Sequence, residues 1–159
     1  ATFKKEDASK GTKGVRVLRG GNISPFALVM KPDDLFLPCT KIKESILLRK
    51  NDIVTPAVTS LENIGKAARV QKDFNDVTVG GFVFILRSFL CNDWLSQYLL
   101  ALLGSPSMGE YMKSVTNKSG QAFYNIGKER LAMAMIPLPP IKEQQRIVAQ
   151  IERLFEQLK

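Results

Sequence analysis

Ile136-Pro137-Leu138-Pro139-Pro140-Ile141-Lys142-Glu143-Gln144-Gln145-Arg146-Ile147-Val148-Ala149-Gln150-Ile151-Glu152-Arg153-Leu154-Phe155 reads as a short apolar strand, a proline stop and a long amphipathic helix. Proline cannot sit inside a helix but fits its first position, where the missing N–H would have had no partner, so the helix is expected to begin near Pro140. Glu143 falls in the first turn and Lys159 at the far end, the signs that a helix dipole favours. Ile147, Ile151, Leu154 and Leu158 recur at the seam spacing of a coiled coil, and Val148 and Phe155 widen the stripe. About twenty residues at roughly 1.5 Å rise make a rod of order 30 Å. Such a stripe needs a covering surface, and periodicity alone allows two: the helix packs on its own domain, or it leaves the domain and pairs with another helix.

The rest of the composition limits what the chain can be. At 159 residues it is long enough for one domain with a real core plus an appendage. Lys and Arg number 23 against 15 Asp and Glu, a net charge of +8 with pI near 9.6, which draws the molecule to polyanions. Residues 141–159 hold four basic and three acidic side chains, so +7 of that charge lies on the body. There is no histidine, which removes histidine triads, imidazole metal sites and a His general base. Cys39 and Cys91 fit neither a disulfide framework nor a zinc spacing, and a reducing cytoplasm is the expected location. No apolar run is long enough to cross a membrane as a helix. The chain opens on Ala1 without a signal-like apolar core and reads as a piece of something longer.

Along the chain, residues 1–14 carry Lys4, Lys5, Lys10 and Lys13 among small polar residues and are expected to form a basic arm or long loop. Strands are predicted at 15–18, 46–48, 53–55, 67–71, 77–79 and 82–86, the last apolar on both faces and therefore expected to be central. Asn92 or Asp93 should cap a helix with Leu95, Leu99, Leu102 and Leu103 inward, ended by Gly104-Ser105-Pro106, with a second short helix over 109–115. Residues 117–121 read as a polar loop, and 133–138 as a final apolar strand. The pattern is α+β: a compact domain of short, mostly antiparallel strands with a few helices, then the long terminal helix.

Several fragments add a resemblance. Val17-Leu18-Arg19-Gly20-Gly21-Asn22-Ile23, Lys50-Asn51-Asp52-Ile53-Val54-Thr55, Ile64-Gly65-Lys66-Ala67-Ala68 and Gly120-Gln121-Ala122-Phe123-Tyr124-Asn125-Ile126 are followed by Pro137-Leu138-Pro139-Pro140 and Glu143-Gln144. In order and spacing they resemble the DNA specificity subunit of type I restriction-modification systems, with Asn51 where that family commonly has glycine and Phe123 where glutamine is frequent. The resemblance implies a target-recognition domain over 1–138 and the truncated start of a conserved spacer helix over 139–159. It implies sequence-specific binding of one half of a bipartite double-stranded DNA site. The implied partners are a methyltransferase subunit, a restriction subunit in the full complex, and a second spacer helix or second copy. No catalysis, cofactor or metal belongs to such a module.

In a DNA reader, cationic side chains hold phosphates and set register, while a few amides and guanidinium groups discriminate base edges. Lys10, Lys13, Arg16, Lys41, Lys43, Lys66 and Lys118 are candidates for the first task; Arg19, Asn22, Gln121, Tyr124 and Asn125 for the second. Each has a plainer alternative: Arg19 and Asn22 can belong to a turn with Arg19 paired to Asp33 or Asp34, the 121–125 segment can satisfy its own backbone, and a lysine can simply be solvated. Ile147, Ile151, Leu154 and Leu158 are the expected contacts to a partner helix. Asn51-Asp52 reads as a turn: neither an Asn/Asp-Pro-Pro-aromatic motif nor a phosphate-binding loop occurs. A different class of function remains open, a scaffold that docks a partner protein through its helix, with the basic surface incidental.

Overall fold

The computed structural model describes residues 3, 7–9, 13–90, 92–119 and 123–157. Its strands form small sheets: β4 (Leu35–Leu37), β1 (Val15–Leu18) and β8 (Val77–Val79) in one, and β7 (Ala68–Arg69), β5 (Ile53–Pro56) and β9 (Val83–Leu86) in another. A two-stranded ladder joins β2 (Ile23–Ser24) to β3 (Ala27–Leu28), and β10 (Thr116–Ser119), β11 (Phe123–Ile126) and β6 (Val58–Thr59) make the last sheet. Among these ladders only β1–β8 is parallel.

The central strand is β5, buried along its whole length, because successive side chains of a strand point to opposite faces and each face here meets a core. Val54 packs with Leu18, Leu48, Val70 and Val79; Ile53 packs with Leu103, Met108, Met112 and Ile126. The run expected to be central, 82–86, is instead an edge, hydrogen-bonded on one side to β5. Its apolar residues meet a groove rather than another strand.

Turn chemistry fixes the ends of β5 and β7. Gly65 sits at φ 88°, a left-handed conformation that a Cβ disfavours, and so turns the chain between Ile64 and Lys66. Asn51 holds φ 72°, tolerable for asparagine where glycine is the easier residue. Its amide donates to Asp93 Oδ1 at 2.8 Å, while its carbonyl oxygen accepts from Arg69 at 3.0 Å and Ser96 Oγ at 2.9 Å. Asn51 thus ties the strand turn to the start of the first helix. The Asp93 carboxyl is held below its ordinary pKa, first by the Asn51 hydrogen bond and then by Lys50, whose Nζ lies 2.9 Å away.

Helix α1 (Asp93–Leu103) starts where Asn92 Oδ1 accepts from Trp94 and Leu95 N–H, and α2 (Pro106–Ser114) begins with proline in its first turn behind Ser105, three residues earlier than the sequence indicated. A short α3 (Lys128–Ala132) follows β11. Residues 46–48 do not form a strand; a 3-10 turn over Glu44–Ile46 leads straight into an irregular stretch. Nor do 133–138 form one. Pro137, Pro139 and Pro140 have no N–H to give a ladder, and this segment is anchored by Tyr98 O–H to Pro137 O (2.7 Å) and Gln144 Nε2 to Pro139 O (2.8 Å). Between it, β9 and α1 lies an open apolar groove of about 660 Å³, lined by Phe84, Leu86, Leu95, Leu99, Ile136 and Leu138.

Helix α4 (Ile141–Gln157) packs along α1 of its own domain, the first of the two arrangements that its periodicity allowed. Val148 and Gln144 are buried there, and the Phe155 ring meets Phe26 edge-on with centroids 5.6 Å apart. Its buried residues are Gln144 and Val148, one position round from the expected Ile147–Ile151 seam, while Phe155 stays 48% exposed. Ile147 and Ile151 are half-buried, Leu154 is half-exposed, and Leu158 lies outside the described residues. The stripe is therefore wider than the surface its own domain covers.

Candidate nucleic-acid interface

Two of the expected contact residues, Arg16 and Asn22, gather around one buried acid, Asp34. Asp34 accepts from Lys31 N–H at 2.8 Å, from the Asn22 amide at 2.6 Å and from Arg16 at 3.0 Å. Burial by itself would raise the Asp34 carboxyl, yet these three donors together hold it below its ordinary value. Asn22 is 2% exposed, its amide also donates to Val29 O and its carbonyl oxygen takes the Arg19 N–H. It is a framework residue and cannot present its edge to a base without unfolding this turn. Arg16 is likewise committed, with its guanidinium 4.9 Å from the centre of the Phe36 ring. Arg19 stays exposed with Asp33 Oδ2 3.6 Å away, the pairing that the sequence allowed.

A pH dependence follows from that cluster. A carboxyl whose folded pKa is depressed contributes stability above the unfolded value, about 3.9, and loses it as pH falls through the folded value. Wild-type protein is thus expected to lose stability faster between pH 5 and pH 3 than Asp34→Asn, although the variant is the weaker of the two at pH 7. Urea midpoints at the two extremes check this; equal acid losses would show that Asp34 does not carry the linkage.

The other cations disperse. Lys13 and Lys43 are exposed, Lys41 pairs with Asp7 at 3.1 Å, and Lys66 donates to Asn63 Oδ1 beside the Gly65 turn. Lys10 and Gln121 lie outside the described residues. Lys118, Tyr124 and Asn125 come together on the β10–β11 hairpin, where Lys118 faces Tyr124 and Asn117 faces Asn125 across the ladder.

The expected polar loop over 117–121 is thus in part a strand. Asn, Ser and Gly in succession are turn chemistry, but pairing with β11, which continues onto β6, imposes an extended conformation. That override brings up a residue which sequence reasoning missed, Asn117. Thr116, Asn117, Lys118 and Ser119 are all polar, so no alternation of apolar and polar residues marked this strand in the sequence. Alternation places Ile126 in the core, with Tyr124 partly buried beside it, while Asn117, Asn125 and Phe123 share the opposite, exposed face. From Tyr111 to Lys128 the sequence contains Lys113, Lys118 and Lys128 and no acidic residue.

Among the described residues no cluster of His, Cys, Asp or Glu could hold a metal ion, and no helix is long and apolar enough to cross a membrane. Cys39 is free and exposed.

Small irregular sheets around a helical pair, with an amphipathic helix after them, define an α+β domain whose β10–β11 hairpin carries Lys118 and no carboxylate in its described strands. Residues 29–159 match the family described as type I restriction modification DNA specificity domain, and the chain belongs to that family. A similar solved structure comes from work on complex assembly and conformational transition of the type I R-M system. Its TM-score is 0.66 at 19% identity, with 98% of this chain and 34% of that chain covered. The likeness shows the fold, and this chain spans about a third of that neighbour's length. No curated protein matches the chain.

Proposed function

We propose that this domain reads one half of a bipartite DNA site as the target-recognition part of a type I specificity subunit, and that it catalyses nothing itself. Membership of the DNA specificity family over residues 29–159 carries the reading. The body's +7 charge supports it, since neutralising phosphates and releasing their counterions is the main sequence-independent source of DNA affinity. The exposed polar face of the β10–β11 hairpin supports it too, because amide side chains can hydrogen-bond base edges in the major groove.

In this proposal residues 1–138 are the reading unit and residues 139–159 open the spacer. The spacer's uncovered shoulder, Leu154 with the half-buried Ile147 and Ile151, receives a second spacer helix, as a coiled coil would. A methyltransferase subunit, and in the full complex a restriction subunit, would then act where the reader is bound. The scaffold alternative uses the same shoulder but gives no role to the exposed amides of Asn117 and Asn125.

The test is methylation mapping. In a host carrying the intact system, adenine methylation is expected at a bipartite motif, with one half of the motif lost or changed when residues 15–138 are exchanged for those of a relative. A motif indifferent to that exchange would refute the proposal.

A further inference from the structure

We infer that Asn117 and Asn125 form a cross-strand amide pair that reads adenine in the major groove, with Phe123 beside them against a thymine methyl. The inference rests on the reading of the domain as a DNA binder and adds to it a base preference and a residue set.

The two asparagines are direct partners in the β10–β11 ladder, and both are exposed. Directly opposed residues have Cβ atoms about 4.5–5.5 Å apart on one face of the sheet. Stacked base pairs follow each other at about 3.4 Å, a gap that two rotatable carboxamides can match. Adenine is the base whose major-groove edge offers an acceptor, N7, next to a donor, the N6 amino group. A carboxamide complements it with both hydrogen bonds: its N–H donates to N7 and its oxygen accepts from N6–H.

These amides are also free to do so. Asn22, Asn51, Asn63 and Asn92 are each tied to a neighbouring group, in a turn, a network or a helix cap. Neither Asn117 nor Asn125 has a side-chain partner among the described residues. Phe123 lies two residues from Asn125 on the same face and is 56% exposed, although a phenyl ring held in water gains nothing there. An apolar contact to the thymine C5-methyl gives that ring a place in an A·T step. Charge agrees with the ligand: the hairpin carries Lys118 on the strand face opposite the amides, and no carboxylate occurs in the sequence between Tyr111 and Lys128.

The experiment selects duplexes with a randomised centre on the wild-type chain and on N117T, N125T and F123A. Threonine favours strand geometry, so the two amide variants should keep their melting temperature. The wild-type motif is expected to contain two adjacent A·T pairs. N117T and N125T should each relax one of them and weaken the selected site roughly five- to 150-fold, with no change on unselected duplex, and F123A should relax the preference for thymine over uracil. A readout that needs no variant is 7-deazaadenine in the selected site: it removes the N7 acceptor, so it should weaken wild-type binding and leave N117T and N125T indifferent at their own positions. A motif that lacks A·T pairs, or that survives both amide substitutions and the deaza base, overturns the inference and leaves the DNA-reading function standing. No motif at all from wild type overturns both.

Discussion

Replacing Arg87 by alanine is expected to destabilise the fold by about 3–5 kcal/mol, and to lower the melting temperature by roughly 6–20 °C for a chain of this size. Asp52 is 1% exposed at the turn before β5 and receives Arg87 Nε at 2.7 Å, a second Arg87 nitrogen at 2.6 Å and the Arg49 N–H at 2.8 Å. The antiparallel register that sets Ile53 opposite Leu86 brings these two residues together at the strand ends. The same guanidinium also donates to Ser45 O and Leu47 O, both at 2.8 Å, and so closes the 44–47 turn over the sheet. Removing it strands a buried carboxylate and releases the two carbonyls of the 44–47 turn, and the desolvation cost of the carboxylate exceeds what the pair contributes when intact.

Arg87→Lys keeps the charge but not the bidentate fork, and an intermediate loss is expected. If the loss arises from stranding Asp52, the double variant D52N/R87A should be more stable than the sum of the two singles indicates. Chemical denaturation at pH 7 measures all four proteins. A loss below 1 kcal/mol for Arg87→Ala would mean that water reaches the carboxylate and that the pair is not a structural lock.

That lock shows where the sequence stopped being informative. Val15–Leu18, Ile53–Thr55 and Val77–Val79 were legible as strands because their apolar runs are short and bounded by turn residues. The cap of α1 and the start of α4 were legible from Asn92 and Pro140. Residues 46–48 look equally strand-like, but two carbonyls next to them belong to a guanidinium some forty positions away, a tertiary demand that no local window contains. The edge position of 82–86 was hidden for the same kind of reason. An apolar strand lining an open groove carries the pattern of one buried between two neighbours.

The candidate interface divides in the same way. Arg16 and Asn22 have the chemistry of base and phosphate contacts, and only the position of Asp34, twelve to eighteen residues on, shows that they serve the fold. Asn117 went unnoticed because Asn-Lys-Ser-Gly is also a good turn. In α4 the spacing of Ile147, Ile151 and Leu154 gave the apolar stripe but not its centre, since the residues buried in the domain are Gln144 and Val148, with Ile147 and Ile151 half-buried beside them. A coiled-coil pattern states that a helix wants a partner, and here α1 supplies part of it.

The second large effect concerns affinity and salt. If the body neutralises about five phosphates, the slope of log K against log salt is about −4.5, so raising salt from 50 to 200 mM should weaken binding by roughly 500-fold. The cations available for this are those left exposed by the fold, Lys13, Lys43 and Lys118 among them, whereas Arg16 is spent on Asp34. Lys118→Glu should therefore flatten the slope more than Arg16 variants that remain folded. The decisive measurement is equilibrium binding of the purified chain to a labelled duplex across that salt range. A steep linear loss is the expected result; weak binding that stays level with salt would contradict the claim that this basic body exists to hold DNA.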